Sequence, residues 1–123
     1  MIGVFGGAGA VSRYLASGLA IRWFGESFPA GTLAVNLLGC FLLGGLYHTS
    51  QVTTLVSDDW RQWIGIGFLG GLTTFSTFGL ETFTRLEDGL WKAAGINVCS
   101  NVLLGLVAVW CGVTLTRLLF GGA

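Results

Sequence analysis

Charged side chains are scarce in this chain, and their scarcity limits what kind of protein it is. Asp, Glu, Lys and Arg together make up only 10% of its 123 residues, whereas a soluble domain carries about 25%. A soluble all-α protein of this composition would have too few charges to cover its outside. Because 53% of the residues are apolar, the composition favours a protein surrounded by membrane lipid, with no nucleic-acid partner.

Catalytic and metal-binding patterns are also missing. The three cysteines, Cys40, Cys99 and Cys111, form no CxxC pair and match no metal-ligand spacing. We expect them to be small buried side chains, and we expect the single histidine, His48, to be interfacial. The sequence contains no nucleophile with an adjacent base, no phosphate-binding loop and no paired carboxylates. It therefore predicts a protein that is not an enzyme.

Glycine, in contrast, is abundant, with 21 of 123 residues. Glycines let helices approach closely in a bilayer, and about 20 apolar residues cross its hydrocarbon core. The apolar runs predict an all-α membrane protein, a single domain over residues 1–123 with four transmembrane helices. The predicted spans are about 2–23, 30–48, 63–83 and 91–119. Tryptophans fall at their ends, as in an interfacial aromatic belt: Trp23, Trp60, Trp63 and Trp91.

Positive charges are divided almost evenly between the two sides of this predicted bundle. Arg61 and Arg117 lie on the side of the termini, and Arg22, Arg85 and Lys92 lie on the other side. With two positive charges on one side and three on the other, the positive-inside rule does not predict an orientation in the membrane. Two interpretations stay open: a weak orientation preference, or dual topology, in which copies insert both ways and pair antiparallel.

One segment of the third predicted span is rich in hydroxyl groups. Residues 65–83 read GIGFLGGLTTFSTFGLETF, in which hydroxyl residues surround two phenylalanines and follow Gly70-Gly71, a pair that weakens a helix. Irregular polar backbone at membrane depth is tolerated only where it is buried in protein or lines a water-filled path. We therefore predict a broken third helix that handles a small polar solute or ion.

Several polar side chains at membrane depth allow two interpretations. Asn36 lies in the middle of the second span, and intramembrane polarity often marks function, but an interhelical hydrogen bond explains it equally well. Two aromatic side chains on one helical face, such as Phe75 and Phe78, usually only pack against their neighbours. The positive edges of their rings can, however, also interact with an anion. In the first span, Arg13 is expected to meet a cluster of carbonyls or Glu81.

Glu81 also has a neighbour on its own helix. Its i,i+4 spacing from Arg85 predicts an ion pair near the membrane interface.

Three motifs, in order along the chain, resemble those of the Fluc (CrcB-type) fluoride channels of microbes. Residues 6–14 read GGAGAVSRY, residues 31–39 read GTLAVNLLG, and residues 70–78 read GGLTTFSTF, followed by Glu81. The third motif is the most specific of the three. The resemblance extends over essentially the whole chain.

The resemblance implies an antiparallel, dual-topology homodimer with two pores, spanning the plasma (inner) membrane of a microbe and exporting fluoride passively. It implies that backbone carbonyls of Gly70 and Thr73, from both subunits, hold a structural sodium ion at the dimer axis. Arg13 and Glu81 match structural positions. In the fourth span we favour Asn101 over Asn97 and Ser100, because Gly105 keeps that face narrow. The implied fluoride pathway is formed by Phe75, Phe78, Asn36, Ser76, Thr77 and Asn101.

Two other functions account for part of the same sequence. A dual-topology drug/proton antiporter needs a titratable carboxylate deep in the membrane, but Glu81 lies near a span end with Arg85 in reach. A structural subunit that transports nothing would explain the glycines and Asn36. It gives no reason for hydroxyl groups on both sides of two phenylalanines.

Overall fold

The computed structural model describes residues 1–122, and within this range the only regular secondary structure is helical. The helices are α1 (Ile2–Phe24), α2 (Ala30–Val52), α3 (58–72), α4 (Phe75–Glu87) and α5 (Trp91–Phe120). Two of them contain wider, π-helical turns, at Gln62–Leu69 in α3 and at Ser100–Leu104 in α5. The prediction of an all-α protein is confirmed.

Three stretches are long and apolar enough to cross a membrane: Ala30–Val52, Asp58–Glu87 and Trp91–Phe120. These stretches coincide with the second, third and fourth predicted spans. The first predicted span corresponds to helix α1, which this criterion does not select. Helix α1 has 23 residues, which is sufficient length. Its glycines, serines and Arg13 make it less apolar than the others, so composition does not single it out.

Helices α2 and α5 run parallel and touch backbone to backbone. Gly44 lies against the carbonyl of Val109, and Gly112 lies against the carbonyl of Phe41. A Cβ at either glycine would collide with the opposing carbonyl, and such close approach is a common way for membrane helices to associate. The pair therefore depends on the absence of a side chain at these two positions.

Helices α1 and α3 form a second parallel pair. Gly9 of α1 lies against the carbonyl of Phe68, and Gly71 of α3 lies against the carbonyl of Gly6. Between this pair and α2 lies the apolar core of Val35, Leu69 and Leu72.

The polypeptide is broken between α3 and α4, as predicted, but the break lies three residues later than Gly70-Gly71. Gly70 has helical angles (φ −63°, ψ −38°), whereas Thr73 (φ −84°, ψ 155°) and Thr74 (φ −152°, ψ 117°) are extended. Gly71 stays helical because its contact with Gly6 holds it against α1. The expectation that the glycine pair is the breaking point was wrong.

One minor expectation, that the cysteines are buried, was also wrong, while the interfacial position expected for His48 stays a prediction. Cys99 and Cys111 are exposed on the surface of the single chain, and Cys40 is half-buried. His48 is buried, with 4% of its surface exposed, between α2 and α5. Its Nδ1 lies 3.1 Å from the hydroxyl of Thr116.

Candidate functional site

Asn36 lies opposite the break and pairs with its backbone. Its Oδ1 accepts a hydrogen bond from the Thr74 amide at 2.9 Å, and its Nδ2 donates to the Thr74 carbonyl at 3.2 Å. The carboxamide thereby provides the two partners that a continuous helix would have provided. One turn along α2, the missing side chain of Gly39 makes room for that of Thr73.

The break also begins the next helix. The hydroxyl of Thr74 accepts from the amide of Thr77 at 3.2 Å, which makes Thr74 the N-cap of α4. The same hydroxyl donates to that of Thr77 at 3.1 Å and lies 3.3 Å from that of Ser76. Ser76 and Thr77 are thus held at the first turn of α4 through Thr74.

Arg13 reaches the end of α3 from the middle of α1. Its Nε donates to the carbonyl of Gly71 at 3.1 Å. Of the two partners expected for Arg13, a carbonyl or Glu81, the structure thus shows a carbonyl. Within residues 1–122, no hydrogen bond ends on the carbonyl of Gly70 or Thr73. Oxygen atoms with free lone pairs therefore remain at the break.

The three asparagines of the chain form one ladder across α2 and α5. Asn36 Nδ2 donates to Asn101 Oδ1 at 2.9 Å, and Asn101 Nδ2 donates to both oxygens of Asn97, the backbone carbonyl at 2.9 Å and Oδ1 at 3.1 Å. Asn97 Nδ2 then donates to Thr82 Oγ1 on α4 at 3.0 Å. Sequence reasoning missed this ladder and Thr82, although the i,i+4 spacing of Asn97 and Asn101 placed both on one face.

A cleft of about 330 Å³ brings six of the eight predicted pathway and metal residues together. It is lined by Asn36, Asn101, Phe75, Phe78, Gly70 and Thr73, together with Thr74 and apolar side chains. Among the residues described, no charged side chain lines it.

The two phenylalanines occupy different surroundings at this cleft. Phe78 is buried, with 7% of its surface exposed, whereas Phe75 is 82% exposed. Their ring centroids are 5.4 Å apart and the rings are inclined by 64°, an edge-to-face pair. Both rings line the cleft.

Thr77 and Glu81 line a second cavity of about 310 Å³, between α1, α2 and α4. Glu81 Oε1 accepts from the hydroxyl of Thr32 at 2.7 Å. Arg85 donates to the backbone carbonyl of Glu81 at 2.9 Å instead of its carboxylate. The predicted Glu81–Arg85 ion pair was therefore wrong: the carboxylate turns toward α2, and the only ion pair in the described part of the chain is Arg61–Asp58.

Side-chain ligands for a metal ion are lacking in the part of the chain that the structure describes. There, no group of three or more His, Cys, Asp or Glu side chains is placed to hold one. Any cation at the break would therefore be held by neutral oxygen atoms, among them the backbone carbonyls.

Comparison with known proteins gives matches that extend along nearly the whole chain. The family model described as "CrcB-like protein, Camphor Resistance (CrcB)" matches residues 1–113. A protein of Geobacter sulfurreducens is 49% identical over 116 residues, which is 94% of this chain and 94% of the relative. One from Shewanella frigidimarina is 50% identical over 112 residues, covering 91% and 90% of the two chains. One from Vibrio campbellii is 45% identical over 111 residues, covering 90% and 87%. All three relatives are named "Fluoride-specific ion channel FluC".

Replacing Asn36 by Leu should destabilise the break. The change leaves the Thr74 amide and carbonyl and the Asn101 oxygen without their partner. We expect a loss of about 2 kcal/mol in the free energy of unfolding, seen as a lower midpoint when the detergent-purified protein is heated and its monodisperse fraction is measured. Cys40→Ala, one turn along α2 in the same cleft, is the control and should change the midpoint little. Equal midpoints for the two variants would contradict the pairing.

Proposed function

Because this chain belongs to the CrcB-like family, we propose that it is a passive, fluoride-selective ion channel. It is an integral membrane protein. Its role would be to let fluoride leave the cytoplasm and so keep the internal concentration low. We place it in the inner membrane of a microbe as a multi-pass protein. In this arrangement α1 also crosses the membrane, which brings the number of crossing segments to four.

The observation that carries this proposal is the name shared by the relatives, which match about nine-tenths of the chain at 45 to 50% identity. Ion channels are not enzymes, which agrees with the sequence prediction. The antiporter alternative is not favoured, since no carboxylate lines the cleft in the part of the chain that the structure describes.

The chemistry of the cleft suits a small anion that is strongly hydrated. An ion entering it exchanges water for a donor hydrogen of the Asn36 carboxamide, and the positive edges of Phe75 and Phe78 add a weak attraction. Asn101 lines the same cleft and is the acceptor that the ion would displace from Asn36. Among the residues described, no cationic side chain lines the cleft and could trap the ion. This meets the requirement that binding be favourable enough for entry and weak enough for exit.

The donors of Asn36 remain paired when no ion is present. Both hydrogens of its Nδ2 are used, one on the Thr74 carbonyl and one on Asn101 Oδ1. A passing fluoride would take the place of the Asn101 oxygen, so one hydrogen bond is exchanged for another. Because the Asn36 hydrogen always has an acceptor, no donor is left unpaired at membrane depth, where this would be costly.

The pathway would continue along the first turns of α4. Thr77 lines the cavity that contains Glu81, and Ser76 precedes it in the first turn of α4, where it is exposed. Hydroxyl groups donate to an anion without trapping it. We therefore assign both residues to the pathway, with Arg13 and Glu81 in structural roles.

We further propose an antiparallel homodimer of dual topology with two pores. The near-even division of positive charge supports it, because neither orientation is favoured. The 82% exposure of Phe75 also supports it, because a second copy would close the open side of the cleft around that ring.

A structural sodium ion at the dimer axis fits the carbonyls of Gly70 and Thr73. These carbonyls have free lone pairs at the break and line the same cleft. Two copies would supply four oxygens, the type of ligand that hard cations prefer. The ion would contribute positive charge that holds the two breaks together.

Fluoride efflux from liposomes tests the channel proposal. Vesicles that contain the protein and potassium fluoride should release fluoride when valinomycin lets potassium follow, with no pH gradient, and should retain chloride in a parallel experiment. Efflux that requires a pH gradient would indicate the antiporter, and no efflux would indicate the structural subunit.

Replacing Phe75 or Phe78 by Ile in the same assay should slow fluoride efflux about tenfold or more, because the apolar bulk remains while the ring edges are lost. Phe83→Ile is the matched control, since Phe83 lies on α4 but outside the cleft. Efflux at the unmodified rate from correctly assembled Phe75 and Phe78 variants would show that the rings only pack.

Orientation can be fixed by adding lysines to one terminus or to one loop. Each charge-biased form should be inactive alone, and the two oppositely biased forms should restore fluoride resistance when they are produced together. Full activity from a single form, with its orientation verified by cysteine labelling, would exclude the antiparallel dimer.

Removing sodium should weaken the assembled protein. We expect the midpoint of thermal dissociation to fall in N-methylglucamine buffer and to return when sodium is added, since a ligand that binds only the folded state stabilises it. Lithium, potassium and magnesium chloride are the controls for ionic strength. A midpoint that is independent of sodium would contradict the site.

A further inference from the structure

The hydrogen bonds of the asparagine ladder point in one direction. The hydroxyl of Thr82 donates its single hydrogen to the carbonyl of Phe78 at 2.9 Å, so its oxygen can only accept from Asn97. Asn97 must therefore turn its nitrogen to Thr82 and its oxygen to Asn101. In turn, Asn101 presents its nitrogen to Asn97 and its oxygen to Asn36.

Reversal of any one amide in this ladder would place two nitrogens or two oxygens face to face. A buried donor or acceptor left without a partner is unfavourable. The orientation of the ladder is therefore set at both ends, by the Thr82 oxygen, which can only accept from Asn97, and by the Thr74 amide, which can only donate to Asn36. At the second of these ends, Asn36 directs its oxygen to the Thr74 amide.

Asn97 holds the buried end of the ladder. None of its surface is exposed, and it lines neither the cleft nor the cavity that contains Glu81. An ion in the pathway therefore cannot touch it. Its only polar connections to the cleft run through Asn101, which accepts nothing from Asn97 and donates to both of its oxygens.

We propose that Asn97 is a positioning residue: its side chain supplies the second acceptor that holds the Asn101 carboxamide in place, and so holds the Asn101 oxygen against Asn36. The proposal rests on the proposed function for its effect on transport, but its structural part is independent of that function. Without the Asn97 side chain, the backbone carbonyl of residue 97 still binds one hydrogen of Asn101. The other hydrogen loses its acceptor, so one bond fewer holds the Asn101 carboxamide, and its hydrogen bond with Asn36 opens more often.

The composition of the chain permits a direct test of this positioning role. Asn36, Asn97 and Asn101 are its only asparagines, so protein labelled with ¹⁵N in asparagine side chains gives three carboxamide signals. We expect slow hydrogen exchange at all three in the unmodified protein. In Asn97→Leu, which keeps the bulk but removes the amide, exchange at Asn36 and Asn101 should become about tenfold faster, the factor for one lost hydrogen bond.

Two further variants make this result specific. Ser100→Ala is the matched control, because Ser100 lies between the two asparagines on α5 and its side chain has no hydrogen bond within residues 1–122. Its exchange rates should equal those of the unmodified protein. If Asn97→Leu does not fold, Thr82→Val removes the acceptor of Asn97 Nδ2 and should accelerate exchange in the same direction. Unchanged exchange in whichever variant folds would overturn the proposal.

Fluoride efflux then separates a positioning role from a general loss of structure. Asn97→Leu should slow efflux about tenfold in the unmodified background and less than about twofold in an Asn101→Ala background, because it acts through Asn101. Equal slowing in both backgrounds would show that Asn97 acts independently, against the proposal. If the unmodified protein moves no fluoride, the channel function fails, while the exchange measurement still decides whether Asn97 holds the ladder in place.

Discussion

The pairing of Asn36 with the backbone of Thr74 is the contact on which the other features of the site depend. Extended residues in the middle of a membrane-crossing segment leave an amide and a carbonyl unpaired, and hydrocarbon offers them no partner. One carboxamide satisfies both. Because Asn36 holds Thr74, Thr74 can cap α4, and α4 then places Phe75 and Phe78 beside the cleft.

Two pairs of helices, each joined by two glycine contacts with an opposing backbone, form the frame around that pairing. Helix α1 holds α3 through Gly9 and Gly71, and α2 holds α5 through Gly44 and Gly112. These contacts set the depth at which Asn36 faces Thr74 and Asn101. A polar group as short as Asn needs such a frame, since a shift of one ångström would lengthen hydrogen bonds of 2.9 to 3.2 Å beyond useful range.

Local patterns in the sequence predicted the all-helical fold and a break within residues 65–83, whereas the resemblance to the Fluc-type channels supplied the set of residues of which most meet at the cleft. The local patterns failed where a distant helix decides the outcome. Gly71 stays helical because α1 packs against it, and Glu81 turns to Thr32 of α2 instead of Arg85 on its own helix. The mutual pairing of three asparagines was equally out of reach, because it requires the relative depth of α2 and α5. The roles assigned to the pathway and sodium residues stay predictions.

The broken helix has a consequence for the order in which the chain enters a membrane. Helix α4 has 13 residues, or about 20 Å, and cannot cross a hydrocarbon core of about 30 Å without α3. During synthesis, Asn36 emerges before Thr74, so the break finds its partner already inserted. Asn101 is made last. Until α5 arrives, one hydrogen of Asn36 has no acceptor, and the nascent three-helix intermediate must hold a water there or remain close to the insertion machinery.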